Sequence, residues 1–417
     1  MPLAAVAPGT VACGPLRVRQ LEASLRTLSA DLDARSSGTV GAAFMKPTYD
    51  SIVVGAGQAG LAASYYLQRA GLSIALLDAA EEIGAVWRRR WDSLRLFTPA
   101  GYNGLPGMPF PGERYSLPGK DEVADYLKAY AKQFDLPVRL GTRVTSLRPD
   151  AGAYRISTKS GEVLTARSVI VATGANQQPY VPAFAAALDS RIIQVHSSGY
   201  RRPAQLPWGG VLVVGAGNSG AQIALELAET GRRVVLSGRD TGSLPRRFLG
   251  RDIYDWLWPT LMRPPVHTAL GRRLMQGRLF AGDPLVGMST KSLERANLLR
   301  AGRTIGVHEG LPLLEGGNVH AETVAVVWCT GFRPDFSWIE LPAFGLDGYP
   351  LHRRGLVQAA PGIAFLGMRF QYRVSSALLG GVGEDAAYVA SETVSFLRSG
   401  PVSTVLKRQS VDSAERS

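Results

Sequence analysis

Ser51-Ile52-Val53-Val54-Gly55-Ala56-Gly57-Gln58-Ala59-Gly60 is an apolar strand sequence that runs directly into a glycine-rich turn. In a GxGxxG turn the first glycine permits a tight bend, the second lets a pyrophosphate approach the backbone, and the third lets the next helix pack close to the strand. The pyrophosphate then lies at the helix N-terminus, where unpaired N–H groups point at it. We therefore predict a strand, a turn and a helix that bind a dinucleotide.

The same pattern returns as Val211-Leu212-Val213-Val214-Gly215-Ala216-Gly217-Asn218-Ser219-Gly220. A single glycine-rich turn is weak evidence, but here two of them each follow an apolar strand and precede a helical stretch. The sequence therefore predicts an α/β fold with two Rossmann-like dinucleotide-binding domains.

The end of the second strand of each unit indicates which cofactor binds there. Asp78 ends that strand in the first unit, and its carboxylate can accept hydrogen bonds from the ribose hydroxyls of FAD or NAD. The second unit has Ser237-Gly238-Arg239 at this place, with no carboxylate to repel a 2′-phosphate and with an arginine that can bind one. We predict FAD at the first site and NADPH at the second; alternatively, Arg239 is an ordinary surface residue.

Composition narrows the class of protein. The chain has 417 residues and a formal net charge of +12, but its only notable basic run is Arg88-Arg89-Arg90, so we expect no nucleic-acid partner. No apolar run reaches the roughly 18 residues of a membrane span, and the N-terminus lacks a signal-peptide pattern. Cys13 and Cys329 are the only cysteines and form no CxxC motif. We therefore expect a cytoplasmic protein without stable membrane insertion, disulfide relay or metal site.

Several separate motifs resemble the class B flavin-containing monooxygenases, and within them the plant indole-3-pyruvate monooxygenases and their bacterial relatives. The resemblance covers about residues 49–397. It rests on the first glycine turn with Leu61, the stretch 87–111, Tyr126-Leu127 with Tyr130-Ala131, Ala172-Thr173-Gly174, His196-Ser197-Ser198-Gly199-Tyr200, the second glycine turn, and Cys329-Thr330-Gly331-Phe332.

The resemblance implies a discontinuous FAD-binding domain, at residues 45–203 and 325–400, with an NADPH-binding domain inserted at 204–324. Thr173-Gly174 and Thr330-Gly331 look like the crossings between the two. We expect residues 1–44 to be a poorly ordered N-terminal extension or an over-extended reading frame, the alternative being a short surface helix. Residues 401–417 are expected to be a flexible tail.

The family's chemistry is also implied: NADPH reduces the flavin, oxygen adds at flavin C4a, and a small-molecule substrate takes one oxygen atom from the resulting (hydro)peroxide. By the same resemblance Trp87 packs near the isoalloxazine, with Arg90 or Arg95 near its polar edge. Asp385 would lie near the ribityl and pyrimidine end of the flavin. Each of these has an ordinary structural alternative, a core aromatic for Trp87 and a helix N-terminal acid for Asp385.

Some positions depart from the family pattern. Ser190 and Ile192 replace the Phe and Gly of its FxGxxxHxxxY/F motif, and Phe97 stands where the Baeyer–Villiger subgroup has an aspartate. Thr98 would replace an asparagine that the mammalian type keeps near the flavin. The stabilisation of the oxygen intermediate, and hence the catalytic residues, are not assigned.

Two other functions stay open. The first is a reductase that passes electrons from NADPH through FAD to an acidic carrier protein, which the positive charge would favour. The second is a nucleotide-binding sensor without turnover. The Trp-rich residues 253–263 could pack inside the inserted domain, line a substrate pocket, form a homodimer face or rest on a membrane surface.

Overall fold

The computed structural model describes residues 48–269, 271–272, 284–288, 293, 296, 298–317, 320 and 322–399. The predicted extension at 1–44 and tail at 401–417 lie outside these residues. Two sheets organise the described part of the chain, one mixed and one all-parallel, and each has one glycine turn at the carboxyl edge of its parallel strands.

A seven-stranded sheet contains the first glycine turn. Its strands are Tyr49–Val54, Ile74–Leu77, Val138–Arg139, Val144–Asp150, Ala153–Thr158, Val163–Val171 and Ile363–Phe365. Tyr49–Val54 lies between Ile74–Leu77 and Val163–Val171 and pairs in parallel with both. Its apolar residues are buried because helices or loops cover both faces of a parallel strand. Val54, Leu77 and Val171 are in register, so these strands end at the same edge.

A five-stranded, all-parallel sheet contains the second glycine turn. Its strands, in spatial order, are Leu299–Ala301, Val234–Ser237, Gly210–Val214, Thr323–Trp328 and Ile193–His196. Shorter two-stranded pairs are Ser243–Leu244 with Leu285–Val286, Arg247–Phe248 with Arg251–Asp252, Thr304–His308 with Leu311–Leu314, and Gln178–Pro179 with Phe332–Arg333.

Helices connect and cover the sheets. The α-helices whose bounds lie wholly within the described residues are Gln58–Arg69, Ala85–Arg88, Lys120–Gln133, Asn218–Glu229, Ile253–Leu257 and Val382–Arg398. The helix that follows the first glycine turn packs against Val382–Arg398, so the end of the chain covers the beginning of the first unit. None of the helices in the described residues has the length and apolar character that a bilayer span requires.

The sheets divide the chain close to the two predicted crossings. The strands of the seven-stranded sheet lie before Gly174 or after Gly331, and those of the five-stranded sheet lie between them. The predicted boundaries at 203 and 325 do not follow this division, because Ile193–His196 and Thr323–Trp328 belong to the five-stranded sheet. The reason is pairing: Thr323–Trp328 lies between Gly210–Val214 and Ile193–His196 and forms parallel ladders with both.

Candidate functional site

The first glycine turn has the geometry of a phosphate cradle. Gly55 has φ of +107°, and a Cβ on it would lie 2.5 Å from the carbonyl oxygen of Ala172. A Cβ on Gly60 would lie 1.8 Å from the carbonyl oxygen of Gly55, so the helix packs as closely as glycine allows. In contrast, no atom lies within 4 Å of the Cβ position of Gly57. The middle glycine therefore faces open space at the helix N-terminus, where a pyrophosphate would bind.

That open space is part of a cavity of about 380 Å³ beside the turn. The predicted site residues that line it are Gly55, Gly57, Gln58, Ala59, Asp78, Trp87, Arg90, Thr173 and Gly174. The structure thus brings together residues from the first turn, the second strand end, the Trp87 helix and the first crossing. Gly60 lies behind the turn, buried against Gly55.

Asp78 connects the second strand to the glycine turn. Its Oδ2 accepts a hydrogen bond from the backbone N–H of Ala56 at 2.6 Å, and its Oδ1 accepts one from Ala80 N–H at 2.8 Å. Each carboxylate oxygen has a second lone pair, so both oxygens can still accept a bond from a ribose hydroxyl. Asp78 can therefore fix the turn and bind a ligand at once.

Arg90 is a cation at the cavity wall. Burial lowers the pKa of its guanidinium, and the charge of Arg201 lowers it further. Its guanidinium carbon lies 5.1 Å from the ring centroid of Phe332, and no described carboxylate lies within ion-pair distance of it. A half-buried arginine without a carboxylate partner favours an anionic group in the cavity.

Three residues that the resemblance placed beside the flavin are absent from the cavity wall. The Arg95 side chain is 62% exposed and pairs with Glu122 at 3.3 Å. Thr98 is buried and donates its hydroxyl to Asn103 Oδ1 at 2.8 Å.

Asp385 is the third of these residues. It is buried in the first turn of the C-terminal helix, and its Oδ1 lies 3.7 Å from Arg354 Nε. Burial raises its pKa above the ordinary value for aspartate. Local partners and burial thus hold all three side chains away from the cavity surface.

The second glycine turn repeats the geometry of the first. Gly215 has φ of +110°, and a Cβ on Gly220 would lie 1.8 Å from the Gly215 carbonyl oxygen. The Cβ position of Gly217 again faces open space. Asn218 bridges to the neighbouring strand, since its Nδ2 donates to Pro284 O at 3.2 Å and its Oδ1 accepts from Val286 N–H at 3.3 Å. Ser219 is exposed beside it.

Of the two cofactor-binding residues predicted at the strand end of the second unit, only one is exposed. Ser237 is fully buried, and its hydroxyl donates to Gly302 O at 2.8 Å, so it does not face the open side of the turn. Gly238 occupies the position equivalent to Asp78, and a Cβ there would lie 2.8 Å from the backbone nitrogen of Ala216. A carboxylate is therefore sterically excluded. Arg239 is exposed next to this position.

The two crossing turns are held in different ways. Gln177 Nε2 donates to Gly174 O at 2.7 Å and to Thr173 Oγ1 at 3.0 Å. At the second crossing Thr330 Oγ1 donates to Tyr180 O, and the Gly331 carbonyl lies 2.9 Å from His196 Nε2.

The protonation state of His196 follows from its partners. Ser198 N–H donates to Nδ1 at 3.1 Å, so Nε2 carries the proton and donates it to Gly331. Burial lowers the pKa of this imidazole, which favours the neutral form.

Polar contacts connect the two units near residues 95–116. Gln222, on the helix after the second turn, donates from Nε2 to Arg95 O at 2.9 Å and accepts from Arg95 N–H at 3.4 Å. Arg246 Nη1 donates to Phe97 O at 2.7 Å. Asp255 accepts hydrogen bonds from the hydroxyls of Tyr102 and Tyr115. The second unit thus forms hydrogen bonds with the backbone of Arg95 and Phe97, directly before Thr98.

Several cavity residues were missed by sequence reasoning. Gly367, Arg369 and Ala377 line the cavity although they come from the last third of the chain. Their signal was available, because Gly367 follows the strand Ile363–Phe365, which ends at the same sheet edge as the first turn. Ligands bind at the carboxyl ends of parallel strands, so each such strand end was a candidate.

Two sheets, each with a glycine turn at its carboxyl edge, define a dinucleotide-binding oxidoreductase. Residues 52–262 match the family model described as "Pyridine nucleotide-disulphide oxidoreductase". The chain belongs to this family and, as the relatives below show, to its class B flavin-containing monooxygenases, a membership that gives FAD and NADPH as its cofactors. Cys329 is half-buried, burial raises its pKa to about 12, and it is the only cysteine in the described residues, so these supply no dithiol pair.

Similar proteins are bacterial and plant oxidoreductases. An uncharacterized CzcO-like oxidoreductase of Geobacillus kaustophilus is 41% identical over 352 residues, which cover 84% of this chain and 99% of the relative. The indole-3-pyruvate monooxygenase YUCCA1 of rice, Oryza sativa subsp. japonica, is 37% identical over 56% of this chain and 58% of its own length.

Solved structures give the same result. A flavin-containing monooxygenase from Stenotrophomonas maltophilia is 30% identical, with a TM-score of 0.67 over 84% of this chain and 98% of that one. Cyclohexanone monooxygenase in its open form has a TM-score of 0.59 at 18% identity, over 85% of this chain and 88% of that chain, and supports the fold alone.

Proposed function

We propose that this protein is an FAD- and NADPH-dependent monooxygenase that transfers one oxygen atom from O₂ to a small organic molecule. The observation that carries the proposal is the difference between two otherwise equal glycine turns. In the first unit the second strand ends at Asp78. In the second unit it is followed by Gly238, where no carboxylate fits, and by exposed Arg239. When bound, FAD supplies the redox and oxygen chemistry, with NADPH as hydride donor.

The residues of the first unit fit FAD. The open face of Gly57 and the helix N-terminus behind it would hold the pyrophosphate, while Asp78 would accept the ribose hydroxyls. Arg90 would place its charge against an anionic or electron-rich part of the cofactor, and Trp87 would supply an aromatic wall. The division into an interrupted FAD-binding unit and an inserted NADPH-binding unit belongs to the same proposal.

The second unit would position NADPH in the same manner. The open face of Gly217 would receive the pyrophosphate, and Arg239 would bind the 2′-phosphate. Gln222 and Arg246 fix residues 95–97 against this unit, so the two cofactor sites are held in a defined relation. A defined relation between the two sites would orient the hydride donor toward the flavin, which is a contribution that the protein makes in cofactor enzymes.

Isotope labelling tests the reaction. Purified protein with FAD, NADPH and labelled molecular oxygen is offered organic sulfides, amines and 2-oxo acids, including the indole-3-pyruvate named for the rice relative. We expect one substrate class to stimulate NADPH oxidation and to yield a product with one labelled oxygen atom, measured by mass spectrometry. Hydrogen peroxide as the sole oxygen product with every substrate would contradict the proposal.

The same assay separates the alternative function. A ferredoxin-like acidic acceptor that accelerates NADPH oxidation without labelled product would favour the reductase, which the net charge of +12 supports.

A pair of arginine substitutions tests whether Arg90 contributes to FAD binding. Replacing the cavity-lining residue, Arg90→Gln, should weaken FAD binding by about tenfold to a hundredfold, whereas Arg95→Gln, on the exposed side chain, should leave it unchanged. Equal effects of the two substitutions on FAD affinity would show that the cavity does not hold the flavin.

A further inference from the structure

A short hairpin in the inserted unit has an unusual tip. Arg247–Phe248 pairs with Arg251–Asp252, and the two-residue turn between them is Leu249-Gly250. Both turn residues have positive φ, +50° for Leu249 and +76° for Gly250. The Leu249 side chain is 75% exposed.

A leucine is energetically unfavourable at position 249 for two reasons. A hairpin turn with positive φ at both positions favours Asn or Gly, because a larger side chain is strained there. An exposed leucine at the end of a hairpin also gains nothing from burial. A strained and exposed apolar residue therefore suggests a contact with an apolar medium outside the protein.

The surroundings of Leu249 are aromatic and basic. Phe248 is 50% exposed and Trp256 is 39% exposed, with their ring centroids 6.3 Å apart. The Arg251 guanidinium lies 6.0 Å from the Trp256 ring, and Arg247, next to Phe248 in the chain, is exposed. Tip residues 247–251 together with Trp256 therefore form one apolar and positively charged surface, named here the hairpin tip.

The acidic side chains next to the hairpin tip are already paired. Asp252 is buried and pairs with Arg246 at 2.8 Å. Asp255 accepts from two tyrosine hydroxyls and pairs with Arg114 at 3.3 Å. The charge that the hairpin tip presents to solvent is thus that of its arginines.

We propose that the hairpin tip docks on the surface of an anionic lipid bilayer. Leu249 and Phe248 would enter the headgroup region, Trp256 would lie at the interface, and Arg247 and Arg251 would contact lipid phosphates. The net charge of +12 adds a long-range attraction to such a surface. A second copy of the chain fits less well, because two hairpin tips would bring like charges together.

Vesicle co-sedimentation of the full chain tests the proposal. The protein should bind vesicles that contain phosphatidylglycerol and should bind pure phosphatidylcholine vesicles at least about tenfold more weakly. Salt near 1 M should release it, because the attraction is screened. Leu249→Asn should weaken binding by about tenfold, the loss expected for one buried leucine side chain.

Leu249→Asn also controls for folding. Asparagine tolerates the left-handed conformation, so the melting temperature should equal or exceed that of the unaltered protein. Leu346→Asn is the matched control, because Leu346 is fully exposed outside the hairpin tip, and it should leave binding unchanged. Arg247→Gln should weaken binding, whereas Arg191→Gln, which makes the same change in net charge, should not.

Three results would overturn the proposal. The first is equal binding of the unaltered protein to both vesicle types, or binding to neither. The second is unaltered binding by Leu249→Asn, or a loss by Leu346→Asn as large as that by Leu249→Asn. The third is a dimer in gel filtration that Leu249→Asn dissociates, because the occupant of the hairpin tip would then be a second copy.

Discussion

The two glycine turns have almost the same backbone and different surroundings. Gly55 and Gly215 have φ of +107° and +110°, and a Cβ on the third glycine of each turn would lie 1.8 Å from the carbonyl oxygen of the first. Their second strands end differently, because Ala56 N–H is bonded by Asp78, whereas Gly238 lies so close to the Ala216 nitrogen that no side chain fits. We therefore propose that the turn itself specifies a dinucleotide and that the strand end selects which one.

The largest effect is expected at the middle glycine of the first turn. Gly57 has φ of −77°, so Gly57→Val introduces no backbone strain, but it fills the space proposed for the FAD pyrophosphate. We expect FAD affinity to fall by about a thousandfold, with near-native far-UV circular dichroism. Flavin absorbance after gel filtration measures the loss. A variant that retains its flavin would place the cofactor elsewhere.

The matching substitution in the second turn should separate the two sites. Gly217 has φ of −76°, so Gly217→Val is equally free of strain. It should leave bound FAD intact and raise the KM for NADPH by about a hundredfold, while reduction by dithionite stays unchanged. Loss of FAD from this variant would mean that the two turns do not bind separate cofactors.

Arg239 provides a smaller and more selective test. If it binds the 2′-phosphate, Arg239→Ala should lower the preference for NADPH over NADH by about tenfold to a hundredfold, the range for a hydrogen bond to a charged group. The ratio of kcat/KM for the two nucleotides measures this. Arg233→Ala is the control, since Arg233 is also exposed but pairs with Glu322 at 2.5 Å. An unchanged preference in Arg239→Ala would remove that residue from the site.

The smallest effect is expected at the crossings. There Gln177 donates a hydrogen bond to the Gly174 carbonyl, and His196 donates one to the Gly331 carbonyl. Because burial lowers the pKa of His196, the folded state favours the neutral ring. Its contribution to stability is complete above the ordinary histidine pKa of about 6.5 and is lost as the pH falls through the lower folded value. His196→Asn should therefore make the fall in unfolding free energy between about pH 7 and pH 5 smaller.

Urea unfolding at both pH values measures this slope. Part of it should remain in His196→Asn, because burial also lowers the pKa values of His320 and His352. An unchanged slope in His196→Asn would show that its ring does not titrate differently in the folded protein.

The sequence predicts those structural features that depend on residues close together in the chain. Both glycine turns, with their strands and helices, follow from residues adjacent in the chain, whereas the interruption of one unit by the other was implied by the family resemblance. The positions of Arg95 and Asp385 do not follow from adjacent residues, because they depend on partners distant in sequence, Glu122 and Arg354. Gly367 was missed for the same reason, since its place beside the first turn is set by strand pairing.

The interruption of the first sheet has a consequence for the order of folding during translation. The five-stranded sheet comes from one continuous stretch, so it can close while the ribosome is still adding residues. Ile363–Phe365 and the helix Val382–Arg398 are synthesised only afterwards, and both belong to the first unit. A nascent chain released before residue 363 would therefore complete the later turn and leave the earlier one without its covering helix. Flavin capture would accordingly be among the last steps of maturation.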